Sequence, residues 1–264
     1  MKRRHPRTAA GPPVALVTGA ARRIGREIAL ALAHDGFDVA VHYGRSRTDA
    51  LATVADIRRV GRRACTVKRD LGAASDIGSM LEQCAAELGE VTCVVNSASL
   101  FEQDTALDFD SARLTRHMRV NVAAPVLLAR QLHRRIADGG QGVVINLLDQ
   151  KLWNPNPDFF SYTLSKAALC SATDLLARAL APKLRVVGVA PGIALPAPGQ
   201  SLRNFERASQ LSALGYCSSP QDIAQAVVYL ARARAVTGTT LLVDAGQHLV
   251  PSPRDVMFLH GSSR

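Results

Sequence analysis

The chain has 264 residues, 47% of them hydrophobic, which is enough for one sizeable core and, in an α/β protein of this length, for a single domain. A formal net charge of +10 raises nucleic acid as a partner, yet the arginines are dispersed and only 5% of residues are aromatic, too few to stack successive bases. Five cysteines without C-x-x-C spacing or histidine clusters argue against a zinc site and a disulfide framework, and no apolar run reaches the ~18 residues of a membrane span.

Met1 to Pro13 is basic, contains proline and lacks apolar periodicity, so it is expected to be a flexible tail before a domain over residues 14–264. It lacks the apolar core of a signal peptide, and the cysteine usage fits reduced thiols in the cytoplasm. The positive field suits an anionic cofactor and substrate.

Val14 to Thr18 reads as a buried strand, followed at once by a glycine turn and the helical pattern Ile24, Ile28, Ala29, Leu32. This is the strand, turn and helix order of a dinucleotide site, where a helix N-terminus offers free N–H groups and a positive dipole end to a pyrophosphate. Gly19 lets the chain turn tightly and Gly25 lets helix and strand approach. Arg22 and Arg23 stand where cations are unfavourable, which a bound anion would resolve; solvated side chains are the alternative.

The second strand, Asp38 to Tyr43, is followed by no acid between His42 and Thr48, whereas Arg45 is present. An acid there selects NAD and an arginine accommodates the 2′-phosphate of NADP, so the expected cofactor is NADPH. Further strands are predicted at Arg63 to Lys68, Val91 to Asn96, Val143 to Leu148, Leu184 to Ala190 and Leu241 to Asp244. Asp70, after the third of these seven, could cap the next helix. A long helix over Ser111 to Ala137 carries Asn121, a mediocre interior residue, and Pro125, which removes the hydrogen bond returning to Asn121; a local irregularity is expected. Residues 196–216 are polar and Pro/Gly-bounded, a candidate substrate lid. Ser219, Pro220 and Asp222 spell a capping box opening a helix to Arg232.

Tyr162 and Lys166 stand four apart at the start of an apolar helical pattern (Leu164, Leu169, Leu175, Leu176), so they share a helix face. The ammonium is expected to lower the phenol's pKa towards neutrality, suiting it to proton transfer. Asp149 would lie at the C-terminal end of the Val143 to Leu148 strand, where ligands of open α/β sheets bind.

Together T-G-A-A-R-R-I-G (Thr18 to Gly25), N-S-A-S (Asn96 to Ser99), Asn121 and Tyr162/Lys166 resemble the short-chain dehydrogenase/reductase family over Val14 to Leu249. Asp149 replaces the serine that family usually has thirteen residues before its tyrosine, which resembles the pteridine and dihydromonapterin reductase branch. The resemblance implies an α/β Rossmann-type doubly wound parallel sheet of about seven strands flanked by helices. It implies catalysis by Asp149, Tyr162, Lys166 and Asn121, the last through a water on its main-chain carbonyl.

It further implies a cofactor held by Gly19, Arg23, Ile24 and Gly25, with His42, Arg45 and Ser46 on the 2′-phosphate and Asp70 and Leu71 at the adenine. Asn96, Ala98, Ser99, Lys166, Pro191, Gly192 and Ile193 complete that set, with Pro196 in place of the family's nicotinamide-binding threonine. Arg23, Ser99, Phe101, Asp149 and Tyr162 would contact a pterin, with Phe101 stacked on it; an ordinary core aromatic is the other reading of Phe101. Asp244-Ala245-Gly246 stands for the family's D-G-G and is expected to need an ordinary backbone angle at Ala245. The implied activity is NADPH-dependent reduction of a 7,8-dihydropterin to its tetrahydro form, by a homotetramer whose residues 251–264 pack on a neighbouring subunit. A carbonyl reductase acting on a 3-oxoacyl thioester and a non-catalytic NADPH-binding regulator are the alternatives. No metal, nucleic acid or membrane partner is expected.

Overall fold

A computed structural model of the chain describes residues 11–73, 77–197 and 199–259. The first ten residues of the expected tail lie outside that set.

Among the described residues seven strands form one parallel sheet: β1 (Val14–Val17), β2 (Asp38–Tyr43), β3 (Ala64–Lys68), β4 (Val91–Asn96), β5 (Gly142–Leu147), β6 (Leu184–Pro191) and β7 (Thr240–Val243). Their spatial order is β3-β2-β1-β4-β5-β6-β7, so the winding reverses between β1 and β4 and opens a crevice at their C-terminal ends. The strand residues are β-branched and apolar almost without alternation because both faces are covered, and β2 and β5 are buried along their whole length.

Among the described residues eight helices connect the strands: α1 (Arg23–His34), α2 (Arg47–Arg59), α3 (Ser79–Leu88), α4 (Ser111–Met118), α5 (Ala124–Arg135), α6 (Phe160–Ala179), α7 (Leu202–Ser209) and α8 (Pro220–Arg232). Ile28, Leu32, Val54, Ile57, Ile223 and Val227 of α1, α2 and α8 share a core on one face of the sheet. Met80, Leu81, Cys84, Leu128 and Leu132 of α3 and α5 build the other.

The expected long helix is interrupted as its sequence demands. Arg119–Ala123, centred on Asn121, is a π-helical turn between α4 and α5, and Pro125 sits in the first turn of α5. The capping box at α8 is present in both halves, Asp222 N to Ser219 Oγ at 3.1 Å and Ser219 N to Asp222 Oδ2 at 2.7 Å.

Two expectations fail here. Ala245 adopts φ +52°, the left-handed conformation expected only of its glycine counterpart. Asp244 accepts from Gly246 N and His248 N at 3.0 and 2.7 Å, and closing that turn imposes the angle. The apolar repeat of α6 also divides: Leu169 is buried, while Leu164 and Leu175 lie on an exposed side.

Candidate active site

The C-terminal ends of β1, β4, β5 and β6 converge on one crevice. The turn after β1 is held from both sides. Thr18 Oγ1 accepts from Ser97 N and Ala98 N at 3.0 Å each, tying it to the end of β4. A Cβ on Gly25 would lie 2.4 Å from Gly19 O, and one on Gly19, at φ +66°, 2.9 Å from Ala98 Cα, so only glycines permit this approach. Arg22, the N-cap residue of α1, has no side-chain cap bond, and the glycine turn before it leaves the helix start a cradle that fits a pyrophosphate.

The two arginines part company. Arg22 forms an ion pair with Asp49 at 2.5 Å, so a neighbouring carboxylate offsets its position at the helix start without a bound anion. Arg23 adopts φ +54° where most short-chain dehydrogenases would have glycine, and its Nη2 donates to Pro196 O at 2.9 Å, tethering the start of the 196–216 segment to the turn. Ile24 begins α1 half-buried beside them.

His42 does not face a 2′-phosphate. Its ring is buried, Nδ1 accepting from Gly19 N and Nε2 donating to Arg69 O, each at 3.1 Å. It braces the glycine turn. Burial pushes its pKa down to about 4, the nearby Arg69 guanidinium assisting and the hydrogen bond to Arg69 O opposing. Between about pH 6.5 and pH 4 the unfolded chain protonates this histidine and the folded chain does not. Stability is therefore full above pH 6.5 and is lost as pH falls through that window, by on the order of 3 kcal/mol. Urea unfolding at pH 7.5 and pH 5, which spans about 2 kcal/mol of that loss, should show a difference that shrinks by about 2 kcal/mol in His42→Gln; an unchanged difference would refute the neutral brace.

Arg45 is exposed and Ser46 half-buried between β2 and α2, open to a phosphate. Asp70 caps no helix: its Oδ1 accepts from Gly72 N at 2.9 Å, closing a turn, and α3 begins only at Ser79. Leu71 beside it is buried. Asn96 turns its side chain into the sheet, Nδ2 donating to Asn146 Oδ1 at 2.7 Å, and Asn146 donates to Thr173 Oγ1 of α6 at 2.9 Å. Ala98 and Ser99 follow at the crevice rim, where Ser99 Oγ reaches Asn121 Oδ1 at 3.3 Å.

Asn121 joins three elements. Its Oδ1 accepts from Leu100 N at 2.8 Å, while Nδ2 donates to Leu100 O at 3.0 Å and Ser165 Oγ of α6 at 2.9 Å. Gly192 and Ile193 follow Pro191 at the end of β6, where Ile193 N donates to Gln247 Oε1 at 2.9 Å. Gln247 thus secures the segment that lacks the family's threonine.

The reactive cluster lies on β5 and α6. Tyr162 donates its hydroxyl to Asp149 Oδ2 at 2.7 Å, and Asp149 Oδ1 accepts from Lys151 N at 2.9 Å. Lys166 Nζ donates to Leu147 O at 2.6 Å and stands 5.6 Å from the Tyr162 ring centroid. Tyr162 and Lys166 are buried and Asp149 half-buried, which reverses the expected titration of the tyrosine. Burial, and then Asp149, push the Tyr162 phenol well above its ordinary range. Burial likewise raises the Asp149 carboxyl, against its hydrogen bonds and the two nearby lysines, and lowers Lys166 to about 8 despite the pull of Asp149. The cluster therefore favours protonated oxygen over separated charge.

Phe101 forms the outer wall. It is 41% exposed, crosses Tyr162 edge-on with ring centroids 4.7 Å apart, and stacks on Phe159 at 4.2 Å. Phe159, at φ +54°, and Gln247 are the site neighbours that sequence reasoning gave no role; nothing in the pattern around Phe159 signals that it faces Phe101. Among the described residues no group of acidic, histidine or cysteine side chains could hold a metal.

A dinucleotide cradle facing a buried Tyr/Lys pair across a parallel sheet defines a Rossmann-type oxidoreductase. A sequence profile described as short chain dehydrogenase matches residues 13–206, and the chain belongs to that family. Among solved structures it is similar to FolM alternative dihydrofolate reductase 1 from Brucella canis, complexed with NADP: 39% identity, TM-score 0.87, covering 91% of this chain and 95% of that one. The promiscuous reductase LugOII, which catalyses keto-reduction at C1 during lugdunomycin biosynthesis, is 33% identical with TM-score 0.84, covering 92% and 100%. The 3-oxoacyl-[acyl-carrier-protein] reductase FabG of Staphylococcus epidermidis is 28% identical over 240 residues, 89% of this chain and 98% of that protein.

Proposed function

We propose that the chain is an NADPH-dependent reductase of pterins, converting a 7,8-dihydropterin to its tetrahydro form. The observation that carries this reading is the 2.7 Å hydrogen bond between Tyr162 and Asp149. Reducing a C=N bond requires a proton on nitrogen, and a desolvated carboxyl whose pKa is raised is a proton donor in a way that a serine hydroxyl is not. The likeness to a FolM dihydrofolate reductase supports the same substrate class.

The cofactor fits the cradle at Gly19 and Gly25, with Arg45 and Ser46 assigned to its 2′-phosphate and Lys166 to its nicotinamide ribose. When bound it supplies a hydride to the imine carbon. Tyr162 passes its proton to the imine nitrogen and recovers it from Asp149, so hydride and proton together complete the new C–H and N–H bonds. Phe101 offers a flat face to the pterin and holds it near the reacting groups. Arg23, through Pro196, links cofactor binding to the placement of residues 196–216, which serve as the lid. We assign the enzyme to the cytoplasm and to a homotetramer, for which Leu164 and Leu175 of α6 offer exposed apolar surface.

A second reading, reduction of a 3-oxoacyl thioester, is favoured by the FabG relative. NADPH oxidation with dihydromonapterin, dihydrobiopterin and dihydrofolate beside a 3-oxoacyl thioester separates the two. Turnover of a dihydropterin without the thioester is expected; turnover of the thioester alone would overturn the proposal.

A further inference from the structure

The C-terminal segment 251–259 makes its polar and aromatic contacts within its own chain. It closes over the loop that carries Asp149. Arg254 grips Asp158 with Nε and Nη2 at 2.7–3.0 Å, and Asp255 N donates to the same carboxylate at 2.7 Å. Asp158 is 1% exposed while Arg254 stays half-exposed, so the clamp is charge-assisted and anchored on a buried carboxylate.

Two lines run from the clamp to the reactive cluster. One is polar: Asp255 Oδ2 pairs with Lys151 Nζ at 3.3 Å, and Lys151 N donates to Asp149 Oδ1 at 2.9 Å. The other is aromatic: Phe258 stacks on Phe159 at 5.9 Å, Phe159 on Phe101 at 4.2 Å, and Phe101 meets Tyr162 at 4.7 Å. Lys151 also lies 5.2 Å from the Phe159 ring centroid, joining the two lines. Gln150, Leu211 and Gln247 surround a cavity of about 110 Å³ together with Pro251, Asp255 and Leu259, so the clasp, the Asp149 loop and the 196–216 segment meet there.

We infer that residues 251–259 are an intrasubunit clasp that sets the position of Asp149 and Tyr162, with Arg254, Asp158, Asp255 and Lys151 as positioning residues. The inference rests on the reading of Asp149 and Tyr162 as the proton-delivering pair. A lysine buried beside a reactive carboxyl, and itself held by a second carboxylate, serves placement and charge at once. The groups facing Asp149 are Tyr162 and Lys166 of α6 and Lys151 of its own loop.

The test compares Arg254→Ala, Arg254→Lys, Lys151→Gln and Asp149→Asn with the parent as full chains, using the dihydropterin reductase assay and NADPH binding by fluorescence. Arg254→Ala should lower kcat about tenfold or more with KM and NADPH affinity within about threefold, and Arg254→Lys should recover most of the loss. Lys151→Gln leaves the Arg254–Asp158 clamp in place, so it reports even where Arg254→Ala folds poorly. It should move the alkaline limb of the kcat profile to higher pH, because a charge favouring ionised Asp149 is gone; a purely structural role would leave the limb where it is. Parental kcat in Arg254→Ala and an unmoved limb in Lys151→Gln, with Asp149→Asn inactive, overturns the clasp alone. Parental kcat in Asp149→Asn overturns the proton-delivery reading and the clasp with it.

Discussion

Asp149→Asn is expected to lower kcat for dihydropterin reduction by about a hundredfold or more while NADPH affinity changes by less than about threefold. Asparagine keeps the shape, and its one carbonyl oxygen can still accept from either Tyr162 or Lys151 N, which Asp149 serves with separate oxygens. What it loses is the transferable proton. In the parent, kcat should fall as pH rises through the raised pKa of Asp149, since only the protonated carboxyl can resupply Tyr162. Tyr162 does not produce that limb, because its phenol stays protonated well beyond the working range. Lys166, at about 8, contributes a second deprotonation that Asp149 couples to its own. Removing Asp149 should abolish the first limb and shift the second down, because the charge that favours the ammonium is gone. A variant with parental kcat would leave the hydrogen bond without a chemical role.

Gly25→Ala should reduce NADPH affinity more than about tenfold and destabilise the fold by roughly 1–3 kcal/mol. The added Cβ meets Gly19 O at 2.4 Å and Gly19 C at 2.9 Å. Both are main-chain atoms of the turn that builds the cradle, so no flexible side chain can yield in their place. The turn must move, and His42, which accepts from Gly19 N, loses its register with it. Thermal unfolding and fluorescence titration measure the two effects. Parental affinity would mean that the pyrophosphate lies elsewhere.

Most of the frame was legible because it is encoded locally. Uninterrupted apolar runs mark strands covered on both faces, and the end of β4 at Asn96 matches its prediction because the polar N-S-A-S begins there. Asn121 with Pro125 announced the π-helical turn through the hydrogen bond that proline cannot make. Asp149 and Tyr162 were legible as partners because a strand end and the following helix bring them together.

What escaped depends on contacts distant in sequence or on burial. His42 looked like a phosphate ligand because sequence does not reveal that its ring turns inward to Gly19 and Arg69. Lys166 looked like the cation that would acidify Tyr162, but helix spacing does not show that its ammonium is committed to Leu147 O, nor that desolvation outweighs attraction. Arg22 found Asp49, 27 residues away, and the clasp joins residues nearly a hundred apart, separations at which no periodicity carries a signal.

The central claim is that the hydride acceptor is the carbon of a pterin C=N bond. The most direct measurement is a single turnover with NADPH deuterated at the transferable position of its nicotinamide, offered a dihydropterin and a 3-oxoacyl thioester together, with the products read by NMR. Deuterium on the former imine carbon of a tetrahydropterin, and none on the thioester product, is the predicted result. Deuterium on the carbinol carbon of the reduced thioester, with the dihydropterin returned unlabelled, would contradict it.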